Sequence, residues 1–230
     1  MKRSQINKAI DAAQAALRGH GVRLPAYGYW SPDDWRNAGS EMSRVTRNGL
    51  GWAVTDFGQG DFDRVGITMF DVRNGNVEHP DEGTPYGEKI FVLQPGQRLP
   101  YHFHWKKTED IISYHGGTLM IQLFNANDDE TMNETSPGVV YLDGVRHSFT
   151  AGQVFEIPHG CSLTITPKLY HRFWAKEDAG TLVGGEISTI SMPRTDNRFG
   201  GNARRFVPIE EDEPARWLLN IDYPRLHETA

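Results

Sequence analysis

The chain has 230 residues, of which 38% are hydrophobic and 23% charged, and a formal net charge of -6. It is too apolar for a disordered chain, lacks the basic balance of a general nucleic-acid binder, and has no apolar run long enough to cross a bilayer. No apolar stretch follows Lys2 and Arg3 to make a secretory signal, so a cytoplasmic protein with no nucleic-acid or membrane partner is expected. The one cysteine, Cys161, cannot form an intrachain disulfide, and its turn-then-strand setting reads as a buried structural thiol.

Ile6, Ala9, Ile10, Ala13, Ala16 and Leu17 recur at helical spacing and predict a helix over 4–18, stopped by Gly19 and Gly21. Ser31-Pro32-Asp33-Asp34 supplies an N-cap, a proline at the first helical position and two acids that favour the helix dipole, which predicts a second, short helix. After residue 50, short runs of Val, Ile, Thr and Phe alternate with turn residues. Strands are expected over 65–72, ending at an Asn74-Gly75 hairpin turn, and then over 89–93, 100–104, 110–114 and 118–124. Further strands are expected over 138–142, 153–157, 162–166, 171–175 and 182–190. Many short strands without helical crossovers point to an all-β antiparallel sandwich or barrel. The chain reads as a single domain over 1–230: a helical extension over 1–50, a barrel over about 52–192 and a tail over 193–230. Within the tail, Glu210, Glu211, Asp212 and Glu213 read as a solvated loop. An open barrel has edge strands to cover, and two-fold pairing is the commonest closure, so a homodimer is expected.

His102 and His104 stand two apart, so on a strand both rings face one side. A tight turn through Trp105-Lys106-Lys107-Thr108 then starts the next strand with Glu109 facing the same space. Imidazole and carboxylate donors suit manganese, iron, cobalt, nickel or zinc. The spacing Gly96, His102, His104, Glu109, Gly116 resembles the first motif of the cupins, and Gly152, Pro158, Gly160 resembles the start of the second. The resemblance implies a jelly-roll of two antiparallel sheets, with His171 as the last ligand of a His102, His104, Glu109, His171 set. Two departures stand out: the gap from Gly160 to His171 is long, and no asparagine follows the histidine. His147 and His159 compete for the third histidine place but read as surface residues.

Four further stretches are similar to the D-lyxose isomerase family: Tyr86-Gly87-Glu88-Lys89, Lys107-Thr108-Glu109-Asp110-Ile111, Gly185-Glu186-Ile187-Ser188 and Thr195-Asp196-Asn197-Arg198-Phe199. That similarity covers most of the chain. It implies an isomerase of small sugars, D-lyxose with D-xylulose and also D-mannose with D-fructose. It also implies one divalent ion per chain, Mn2+ first, with Zn2+, Co2+, Fe2+ or Ni2+ compatible. Glu186, beside Gly184 and Gly185, is the expected proton carrier, with Asp110 weaker because its side chain should point away from that of Glu109. Lys107 and Lys89 are expected to polarise or hold sugar oxygens, and Arg194, Asp196 and Arg205 to bind hydroxyls or form a lid. Half of Phe103, Trp105, Phe173 and Trp174 should face the pocket. The alternatives are an iron dioxygenase, which needs oxygen, and a sugar-binding or regulatory protein without turnover.

Overall fold

The computed structural model describes residues 1–223; the last residues of the expected tail lie outside it. The N-terminal periodicity forms α1 (Arg3–Gly19), Ser31 caps α2 (Pro32–Arg36), and α3 (Ser43–Arg47) leads into the strands. The first seven strands are β1 (Gly51–Thr55), β2 (Ile67–Gly75), β3 (Gly83–Leu93), β4 (His102–Phe103), β5 (Glu109–Gly116), β6 (Leu119–Ala126) and β7 (Met132–Asn133). The rest are β8 (Gly138–Leu142), β9 (Val145–Phe149), β10 (Val154–Ile157), β11 (Ser162–Ile165), β12 (Leu169–Ala175), β13 (Leu182–Thr189) and β14 (Arg198–Phe199). An eight-stranded sheet runs β1-β2-β3-β13-β5-β11-β8-β9, and a smaller sheet runs β10-β6-β12-β4-β14 with β7 beside β6. The pairings between these strands are antiparallel, so the all-β jelly-roll expectation holds.

Period-two alternation decides which residues face the space between the sheets. Ile67, Met69, Phe91, Leu93, Ile111, Ile121, Phe173 and Leu182 point inward and form the main core. Their neighbours Phe70, Val92 and Val183 point outward and take the apolar stripe of α1, made of Ile6, Ile10, Ala13 and Leu17. Strands β1, β2, β3 and β13 thus carry apolar residues on their outer face as well, and the helix covers them there. Gly184 and Gly185 were expected to leave room beside Glu186. Instead, a Cβ on Gly184 would strike the Phe91 ring, and one on Gly185 the Tyr114 ring, so both glycines make room for packing.

Three sequence expectations are corrected here. Asn74-Gly75 is not the hairpin turn: β2 continues through Gly75, which pairs with Gly83, and residues 76–82 make the connection. The Asn74 side chain is committed elsewhere, donating to the Ser191 carbonyl at 3.0 Å and accepting from the Ser191 amide at 2.9 Å. Cys161 is half-buried rather than buried. The acidic run is no free loop. Arg3, 2% exposed, sits in the first turn of α1, which holds no acid of its own. Its guanidinium pairs with Glu211 at 2.8 Å and with Asp222 at 2.9 Å. Asp212 accepts from the Ser4 amide at 2.9 Å, and Glu213 from Asn7 at 2.6 Å. The run supplies the negative charge that the start of a helix favours.

Replacing Arg3 leaves the Asp222 carboxylate buried without its cation. Arg3→Ala should therefore cost about 3 kcal/mol of folding stability, read as a lower midpoint in denaturant unfolding.

Candidate active site

Four groups converge between the sheets from different strands. His102 lies on β4 opposite His171 on β12, which sits between β4 and β6. The turn after His104 brings Lys107 and then Glu109, the first residue of β5, to the same place. One donor atom from each of His102, His104, Glu109 and His171 lies within 4.8 Å of the others, and all four residues are buried.

The ring tautomers follow from the partners. His102 Nδ1 meets the Pro100 carbonyl at 3.0 Å, His104 Nδ1 the Asp196 carbonyl at 2.6 Å, and His171 Nδ1 the Leu169 carbonyl at 3.0 Å. A carbonyl can only accept, so each Nδ1 carries a proton and each Nε2 is the nitrogen turned to the site, where in a neutral ring it keeps a lone pair. Burial, with the neighbouring His171 and His104 rings, holds His102 far below the usual histidine range; burial and the Lys107 ammonium lower His104. Neutral imidazoles are the metal-binding form. His104 Nε2 and His171 Nε2 face Glu109 Oε1 at 3.2 and 3.0 Å, and none of the three atoms has a hydrogen-bond partner among the described residues. Lone pair against carboxylate oxygen is repulsive; a cation between them turns the repulsion into coordination. The donor set fits a borderline divalent ion.

A row of alternating charge leads away from this cluster. Asp71 on β2 stands opposite Lys89 on β3, and Lys89 opposite Glu186 on β13. Lys89 donates to Glu186 Oε1 at 2.6 Å and to Ser191 Oγ at 3.1 Å. Lys107 donates to the same Glu186 oxygen at 2.7 Å and pairs closely with Glu109. Burial alone would raise the Glu186 carboxyl, but Lys107 and Lys89 override it and hold it at about 2. Burial also opposes the charge on Glu109, which Lys107 and His104 hold well below the usual range. Lys107, buried between two carboxylates, is raised. Burial pushes Asp71 up despite Lys89 and Arg205.

The other expected residues divide. Arg205 lines the cavity, with Nη2 at 2.9 Å from Met69 Sδ. The Asp196 carboxylate accepts the Lys106 and Lys107 amides at 2.9 Å, one on each oxygen, so it braces the turn. Asp110 points to the opposite face of β5 and accepts from Thr164. Arg194 is exposed, with its guanidinium 4.5 Å above the Phe206 ring, and both residues line a cleft beside the cavity. Phe173 lines the cavity with Phe57, Phe91 and Phe199. Phe103 packs against Trp105 and Tyr170, and Trp174 lies under Arg172, so these face outward. His159 is exposed and His147 lies half-buried on β9, and neither lines the site. Asp71 and Phe199 escaped the sequence reading. Alternation from Ile67 and Met69 could have found Asp71, whereas Phe199, 5.4 Å from the His102 ring, stands in a family-like stretch but on a two-residue strand whose facing has no sequence signal.

The profile of the D-lyxose isomerase family matches residues 1–223. A D-lyxose/D-mannose isomerase of Serratia proteamaculans is 39% identical over 226 residues, covering 98% of this chain and 99% of that one. One from Escherichia coli O157:H7 is 37% identical over 224 residues, covering 97% and 98%. Among solved structures, a mutant L-ribose isomerase of Acinetobacter sp. DL28 with L-ribose aligns with a TM-score of 0.58 at 15% identity, covering 91% of this chain and 98% of that one. The L-ribose isomerase of Cellulomonas parahominis with L-ribose aligns at 0.55 and 17% identity, covering 86% and 92%. These two share the fold. The protein is an enzyme of the sugar aldose–ketose isomerase class, with a buried His/Glu group that can hold a metal ion. More particularly, the chain belongs to the D-lyxose isomerase family.

Asp196 grips the turn between the donors and orients His104. Asp196→Ala should weaken Mn2+ binding by about 10- to 100-fold, measured by titration calorimetry on chelator-stripped protein.

Proposed function

We propose that the enzyme interconverts D-lyxose and D-xylulose, and D-mannose and D-fructose, using one divalent ion held by His102, His104, Glu109 and His171. The observation behind this reading is Glu186: both lysines bind its Oε1, and Oε2 receives no hydrogen bond among the described residues. It shares one cavity with the four donors. Mn2+ is the proposed ion, and Zn2+, Co2+, Fe2+ or Ni2+ suits the same donors. When bound, the ion supplies Lewis-acid polarisation of the sugar carbonyl.

In the aldose-to-ketose direction the C2–H bond breaks and a C1–H bond forms, while a proton leaves O2 and one is gained at O1. Glu186, ionised near neutral pH, takes the C2 proton, exchanges it with solvent and delivers a proton to C1. Lys107 sets a fixed positive charge beside the oxygen on which negative charge grows. Lys89 holds Glu186 in place from the other side, and Arg205 offers a donor to substrate hydroxyls. Asp110 and Asp196 have no part in this assignment, and Arg194 lines the neighbouring cleft rather than the cavity.

We further infer a single-domain, cytoplasmic homodimer. Val139, Tyr141 and Val145 are exposed apolar residues on the β8–β9 edge hairpin, a surface suited to a second copy. Cys161 forms no disulfide, so the fold needs no oxidising compartment.

Stripped protein reloaded with Mn2+ should form ketose from D-lyxose and D-mannose without oxygen. Glu186→Gln should lower kcat by about 10²- to 10⁴-fold. In D2O, deuterium should enter C1 of the D-xylulose formed. Ketose free of solvent deuterium would replace proton transfer by a hydride shift, and no ketose from any sugar would remove the isomerase reading.

A further inference from the structure

The cavity around the histidines has a volume of about 50 Å³. One water needs about 10–15 Å³, so this space holds a few waters and not a whole pentose. Next to it lies a cleft of about 380 Å³, within the range of small-molecule sites, about 300–1,000 Å³. The two meet along Lys89, Ser191, Met192, Pro193 and Arg205. The charge row crosses the same boundary: Glu186 faces the small cavity, Lys89 both spaces, and Asp71 the cleft.

Polar side chains stand among the apolar walls of the cleft. Asn48, one of its lining residues, is 6% exposed, and neither its Oδ1 nor its Nδ2 has a hydrogen-bond partner among the described residues. Buried amides are ordinarily satisfied, so an unsatisfied one marks a place for a ligand or a water. Asn220 Nδ2 reaches Asp71 Oδ2 at 3.3 Å and adds a second amide beside the carboxylate. Amide and carboxylate together can accept from and donate to neighbouring hydroxyls. Leu219 and Val54 line the same cleft and can meet the C–H faces of a carbon chain.

We propose that this cleft receives the hydroxylated carbon chain of the sugar beyond C2, with Asn48 and Asp71 as hydroxyl-binding side chains, so that it sets the preference for substrate length. This deepens the isomerase reading and rests on it. The reacting carbons stay beside Glu186, and the remainder of the sugar passes Lys89 into the cleft. A longer sugar therefore draws more binding from the cleft than a short one.

The test compares glyceraldehyde, D-lyxose and D-mannose, which have three, five and six carbons, as substrates of the Mn2+-loaded enzyme. Asn48→Leu removes the amide. Val77→Trp narrows the cleft from a lining position that is 52% exposed, where a large side chain leaves the core intact. For each variant, kcat/KM should fall about tenfold or more on D-mannose, less on D-lyxose and least on glyceraldehyde. Should Asn48→Leu fail to fold, Val77→Trp decides alone. Equal losses on all three substrates, or no loss on any, would overturn the proposal while leaving the isomerase reading standing. A wild-type enzyme that converts none of them would remove that reading and this inference with it.

Discussion

The site depends on a contest of lone pairs. Three backbone carbonyls, those of Pro100, Leu169 and Asp196, each take the Nδ1 proton of a buried histidine. That turns every Nε2 toward the site, and two of them face Glu109 Oε1 at 3.2 and 3.0 Å without a hydrogen bond among the described residues. Strand pairing holds the rings where they are, since His102 and His171 are direct partners across β4 and β12. A divalent ion between these atoms would replace lone-pair repulsion by coordination, and the same framework keeps Lys107 against Glu109.

Electrostatic order then spreads from that point through the inward face of the larger sheet. Carboxylate and ammonium alternate from Glu109 through Lys107, Glu186 and Lys89 to Asp71. Each buried charge has an opposite neighbour, which is what makes burial of so many tolerable. The segment from Ser191 to Asp196 ties this row to the donors. Asn74 holds Ser191, Ser191 accepts from Lys89, and Asp196 clasps the turn that carries Lys107. This is why a residue read as a hydroxyl binder turns out to be a brace.

Much of this was legible in the residues. Two-residue spacing announced that His102 and His104 turn to one side, although β4 ends at Phe103 and His104 lies just beyond it, and the same alternation put Asp110 opposite Glu109, as the structure has it. Helical spacing fixed α1 within a residue at each end. Glu186 and Lys107 were singled out and do meet. Long-range pairing was not legible. Nothing local says that Glu211, Asp212 and Glu213 would close on the first turn of α1 some two hundred residues earlier, because such contacts are set by where the fold returns the chain. Strand β9, with the sequence VRHSF, was missed because an exposed edge strand need not alternate apolar and polar residues. Asn74-Gly75 misled because a strong local turn signal lost to the register of β2 on β3.

The central claim is that one divalent ion sits among three Nε2 atoms and a carboxylate oxygen. The most direct test is an anomalous difference map from crystals of the stripped protein reloaded with Mn2+. The account predicts one strong peak per chain, within coordination distance of the Nε2 atoms of His102, His104 and His171 and of an oxygen of Glu109. A peak elsewhere, or none between these four side chains at saturating Mn2+, would contradict it.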